Sequence, residues 1–133
     1  MNLRSGRRRW FPLVASLALL LGGSILLAGE PQETSWKGFL IDRLCASERL
    51  SREPGFAPTH TRKCLLMPAC QAAGYALLAD DNKLLTFDEH GNQLARALIE
   101  ARHGNRDDNW KVHVKGRMTE SDSIAVSRID LAK

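Results

Sequence analysis

The 133-residue chain carries 19 Lys plus Arg against 15 Asp plus Glu, and only 6% of it is aromatic. Four of the basic residues fall within the first 29 positions, so residues 30–133 hold 15 charges of each sign and are formally neutral. A neutral body has no overall positive field to neutralise phosphates; nucleic acid is therefore not an expected partner, and the domain has no electrostatic motive for docking on a membrane surface.

Residues 1–29 begin with Arg4, Arg7, Arg8 and Arg9 and continue into an uncharged apolar stretch, residues 11–28. This is the layout of an export signal, with Ala28 and Gly29 as small residues where a peptidase would cut before Glu30. A lipid anchor at that point would need cysteine where Glu30 stands. Those 18 residues also reach the lower limit for crossing about 30 Å of hydrocarbon, so an uncleaved N-terminal anchor is the alternative. Both readings place the rest of the chain in the periplasm or on the extracellular side of the inner membrane, touching the bilayer only through residues 11–28.

Residues 30–35 are polar and read as a short linker before a domain spanning 36–133. Residues 36–42 are rich in strand formers and predict a first strand. Residues 43–57 contain Pro54 and Gly55 and show no sustained period, which predicts a loop with one helical turn near Ala46 to Leu50. Thr59 offers a cap for a helical segment reaching about Leu66, which Pro68 ends. Residues 74–79 and 83–88 predict the second and third strands, joined by Asp80, Asp81 and Asn82, residues that tolerate the left-handed conformations of a tight hairpin.

Glu89, His90 and Gly91 read as another turn. Asn92 then caps a helix in which Leu94, Ala97, Leu98 and Ala101 recur at i, i+3, i+4 and i+7, while Arg96, Glu100 and Arg102 face water. Gly104 is placed to close it, with Arg102 and His103 at the negative end of its dipole. Trp110, Val112, Val114, Gly116 and Met118 alternate with Lys111, His113, Lys115 and Arg117, a strand with one core face and one wet face. A last strand covers residues 123–131; its apolar set shifts from Ile124 and Val126 to Ile129 and Leu131, so a bulge is expected near Ser127.

The resulting class is mainly β with one or two helices, α+β. Five strands in the order β-β-β-α-β-β match an OB-like barrel, with a long Cys/His-containing loop between the first two strands, where such barrels tend to bind ligands.

That loop holds the chemistry, in the spacing Cys45-x14-His60-x3-Cys64-x5-Cys70. On a helix, His60 and Cys64 would share one face about 6 Å apart at Cβ. With Cys45 and Cys70 they form a Cys3His set of the kind that holds Zn²⁺, and soft thiolates equally suit Cu(I). The competing reading is a disulfide from Cys45 to Cys64 or Cys70, which the export compartment favours and which would contribute on the order of 3 kcal/mol through loop closure. A thiol redox catalyst is disfavoured because no Cys-x-x-Cys pairs attacking and resolving sulfurs. Asp42 is the candidate outer partner of His60 or of another ligand, or else accepts backbone hydrogen bonds in the loop that follows.

Elsewhere, His90 reads as a turn residue and His113 as part of the wet face. Trp36 and Trp110 read as core anchors rather than a base-stacking platform. There is no phosphate-binding Gly-rich loop, no nucleophile elbow and no carboxylate pair, so no catalytic residue is nominated and binding is expected in place of catalysis.

The pattern Trp36-x-Gly38-x-Leu40-x-Asp42-x-x-Cys45, His60-x-x-x-Cys64 and Cys70-x-x-x-Gly74, leading into residues 75–80, resembles small exported bacterial proteins of unassigned function. The resemblance covers about residues 36–131 and implies an exported leader and an OB-like body; it carries no catalytic residues. This chain departs from the pattern in placing five residues, Pro68 among them, between its last two cysteines. Three roles follow as expectations. The first is an extracytoplasmic binding or accessory module organised by a disulfide or metal, acting on a protein or small ligand of the cell envelope. The second is a periplasmic metal-binding or thiol-redox protein, and the third a membrane-anchored subunit of an envelope complex.

Overall fold

A computed structural model describes residues 32–102 and 107–133; the expected leader, and the expected helix-closing roles of His103 and Gly104, lie outside the described residues. The first strand, β1 (Thr34–Asp42), begins inside the expected linker because Thr34 and Ser35 already pair with Gly116 and Lys115. β2 (Tyr75–Ala79) and β3 (Leu84–Phe87) form a hairpin whose turn places Asn82 at φ 64°, the left-handed region its side chain tolerates. β4 (Lys111–Glu120) and β5 (Ser123–Leu131) follow the alternation read from the sequence.

β1 pairs antiparallel with both β2 and β4, β2 with β3, and β4 with β5. A parallel contact between β3 and β5 completes the circuit, so the sheet closes on itself. Lys115 lies opposite Arg128 and Gly116 opposite Val126, which leaves Ser127 as the extra residue at the bulge the apolar shift had indicated. Inside the ring Leu40, Leu77, Leu85, Trp110, Val112, Val114 and Ile124 are buried together. Trp110 is an anchor as expected, and Trp36 packs half-buried against the same cluster.

The long helix, α4 (Glu89–Ala101), starts earlier than its sequence suggested. Asp88 caps it, with Oδ1 accepting from Gly91 N–H at 2.9 Å, so Glu89, His90 and Gly91 form the first turn of the helix and no separate turn precedes it. Asn92 instead accepts Tyr75 N–H through Oδ1 at 2.8 Å, tying the helix to β2. The buried face is Gly91, Ala95 and Ile99, flanked by Leu94 and Leu98; Ala97 and Ala101 are exposed. Arg102 is half-buried, its guanidinium 4.4 Å above the Trp110 ring, where it was expected in water.

The mainly β, α+β class stands, but there are more helices than the expected one or two. The long connection between β1 and β2 folds into α1 (Arg43–Arg49), a single 3-10 turn (Ala57–Thr59), α2 (Arg62–Leu65) and α3 (Pro68–Ala73). Arg62 then fastens this connection to the body by donating from Nε to the Ile99 carbonyl at 2.9 Å and from Nη2 to that of Glu100 at 3.1 Å, both in the last turn of α4.

Candidate metal centre

Each cysteine is the third residue of a short helix: Cys45 in α1, Cys64 in α2 and Cys70 in α3. The local cause is capping. Asp42, extended at the end of β1, accepts Cys45 N–H at 2.8 Å through Oδ1 and starts α1. Thr61 does the same for Cys64 N–H at 3.2 Å, two residues later than the expected cap at Thr59. Pro68 opens α3 where it was expected only to end a helix, since a first-turn residue needs no N–H partner.

These turns bring the expected residues together. Cys45 Sγ, Cys64 Sγ and a ring nitrogen of His60 all lie within 4.8 Å of one another, and so do Cys45 Sγ, Cys70 Sγ and an Asp42 oxygen. Cys45 belongs to both groups, while Cys70 does not join the group containing His60 and Cys64. The expected disulfide is not formed: all three thiols are free, Cys45 and Cys64 half-buried and Cys70 buried. His60 reaches the cluster by a route other than the helix face inferred from its spacing, because it is extended (ψ 125°) and precedes α2.

Asp42 fills both roles considered for it. While Oδ1 caps α1, Oδ2 lies 2.7 Å from His60 Nε2, and both side chains are fully buried. Burial pushes the Asp42 carboxyl up, but hydrogen bonds from His60 and Cys45 N–H outweigh it and hold the group below the usual aspartate range. An ionised carboxylate can only accept, so the proton in this contact sits on Nε2, and Nδ1 is the ring nitrogen left over for another partner. Nδ1 is buried and has no hydrogen-bond partner among the described residues. The Phe56 ring meets His60 edge-on at 5.6 Å, and Ile41, Ala46, Phe56 and Ala57 form a small apolar cluster beneath this segment.

Neither Cys45 nor Cys70 is primed as a nucleophile. Burial, reinforced by the charge of Asp42, raises the Cys45 thiol to about 12 and the Cys70 thiol to about 11. Both are protonated at neutral pH, which weighs against thiol–disulfide chemistry. A metal ion would have to displace those protons to bind.

Among the residues that sequence reasoning missed, Thr61 matters most. Its signal was present: Thr61-x-x-Cys64 repeats the spacing of Asp42-x-x-Cys45, a capping oxygen three residues before a thiol. Comparison of the chain with protein-family models, curated proteins and solved structures finds no match.

Proposed function

We propose that this protein is an exported binding or accessory module whose Cys45 to Cys70 segment is organised by one bound soft metal ion, Zn²⁺ or Cu(I), with Cys45, His60 and Cys64 as the primary ligands. The observation that carries this reading is the grouping of two sulfurs and an imidazole within 4.8 Å, together with a buried Nδ1 that finds no hydrogen-bond partner among the described residues. A buried ring nitrogen left unpaired costs free energy, and coordination would remove that cost. The Asp42 to His60 contact matches the carboxylate that commonly orients a metal-bound imidazole.

The circuit of strand pairings, with α4 between β3 and β4, supports reading the body as an OB-like barrel. Export, to the periplasm or the outer side of the inner membrane, is supported by the arginine-rich start and the apolar stretch at 11–28. The test is the intact mass of the exported protein before and after alkylation, alongside elemental analysis. Expected are one metal ion per chain, two thiols, Cys45 and Cys64, that become alkylatable only after chelation, and a mature N-terminus near Glu30. A metal-free protein containing a cystine bridge would overturn the metal reading, and an uncleaved N-terminus would convert the module into an anchored subunit.

A further inference from the structure

We infer that the ion is Cu(I), held in a three-coordinate site by Cys45 Sγ, His60 Nδ1 and Cys64 Sγ, with Cys70 outside the coordination shell. This inference rests on the reading of the cluster as a metal centre and specifies its occupant. The donors settle the hardness of the ion: two sulfurs and one imidazole, with no oxygen among them, suit soft ions.

The number of donors then separates the two soft candidates. A structural Zn²⁺ site takes four protein ligands in a tetrahedron, and a Zn²⁺ site with three keeps a water in the fourth position. Among the described residues three donors lie within 4.8 Å of one another here, and Cys70 groups instead with Asp42 and Cys45. Asp42 cannot easily serve as a fourth ligand, since Oδ1 is committed to Cys45 N–H and Oδ2 to His60 Nε2. Releasing either bond would uncap α1 or free the imidazole. Cu(I), softer than Zn²⁺ and carrying a single positive charge, is satisfied by three soft donors without a water.

His60 is fully buried, whereas Cys45 and Cys64 are each half-buried. An incoming thiolate would approach the ion past these two residues. The exchange involves no change of oxidation state: a new copper–sulfur bond forms, the bond to Cys64 breaks, and the Cys64 thiolate takes a proton from water. Such a site suits an ion that is passed on more than one that is kept.

The test is anaerobic titration of the full-length exported protein with Cu(I) against a chromophoric Cu(I) chelator, and separately with Zn²⁺, followed by X-ray absorption of the loaded wild type. Expected are one Cu(I) per chain that outcompetes Zn²⁺, and a shell of two sulfurs and one nitrogen. Cys64→Ser should lose stoichiometric binding, whereas Cys70→Ser should keep it. A shell of three sulfurs and one nitrogen, preferential Zn²⁺ binding, or loss of copper in Cys70→Ser would overturn the inference while leaving a metal centre in place. If neither ion binds, the metal centre fails with it. The wild-type spectrum decides the matter even if a variant does not fold.

Discussion

Asp42 and His60 form a fully buried pair in which one carboxylate both starts a helix and fixes an imidazole, Oδ1 on Cys45 N–H and Oδ2 at 2.7 Å from Nε2. The end of β1, the start of α1 and the orientation of His60 therefore depend on one side chain. Replacing it separates stability from metal affinity. Asp42→Ala removes a helix cap and strands a buried imidazole, and should cost about 2 to 4 kcal/mol in urea unfolding. Asp42→Asn preserves the shape but no longer supplies a charged acceptor, and should weaken metal binding by about 10- to 100-fold. Unchanged stability in the first variant, or unchanged affinity in the second, would show that the pair does not hold the site.

Tyr75 is the only tyrosine in the chain, which makes its titration directly visible. Its hydroxyl donates to the Leu65 carbonyl at 2.8 Å from a buried position, and burial raises its pKa from 10 to about 12. The folded value lies above the unfolded one, so the associated stabilisation is complete below about pH 10 and is lost as pH rises through about 12. The near-ultraviolet phenolate band of the native protein should therefore appear only close to pH 12. A band emerging near pH 10 while the fold persists would contradict the burial of this side chain.

Gly38 has no room for a side chain. A Cβ at this position would overlap the Leu78 carbonyl oxygen and come within 2.7 Å of the Ala79 Cα, both backbone atoms of β2. The Gly38→Ala variant should be destabilised by at least about 2 kcal/mol, since the strand would have to move away from its partner. Thermal unfolding of this variant beside wild type measures the effect, and equal midpoints would refute the tight approach of β1 to β2.

On α4, Ile99→Ala should cost about 2 to 4 kcal/mol because Ile99 is fully buried in the main core. Ala97→Ser, on the exposed side, should stay within about 0.5 kcal/mol of wild type. Denaturant midpoints for the two variants test the orientation of the helix, and the opposite ranking would restore the face first inferred from apolar spacing.

That inferred face shows where the sequence misleads. Leu94, Ala97, Leu98 and Ala101 have helical spacing, but two of them are small alanines that cost little when exposed. The real stripe runs through Gly91, which sequence rules take for a breaker. Gly91 is helical because Val126 of β5 packs where its side chain would be, with Val126 Cγ2 only 2.6 Å from a built Cβ. A requirement set by a strand 35 residues away leaves no local mark.

The strands were legible because alternation follows directly from the pleat, and even the bulge at Ser127 appeared as a break in that alternation. The members of the candidate centre were legible as residue types that few other roles explain. Their scaffold was not, since α1, α2 and α3 run for seven, four and six residues, too short for a helical period to register. Only their caps could reveal them; Asp42 and Pro68 each had another plausible use, and Thr61 stood two residues from Thr59, the cap the sequence suggested.

The ring is not equally tight all round. β3 and β5 meet over just two residue pairs, Thr86 with Ser123 and Phe87 with Ile124, whereas β1 is stitched along both edges, by five pairs to β2 and six to β4. Breathing motions should thus unzip the short seam first, held shut by Asp88, whose Oδ1 also accepts Val126 N–H at 3.1 Å, and by Thr86, whose N–H and hydroxyl both donate to the Asp122 carbonyl. The stave that ends in Asp42 would loosen late, together with β4, and its amides should exchange slowly with deuterated solvent, so the cradle for the ion rides on a firmly held part of the molecule.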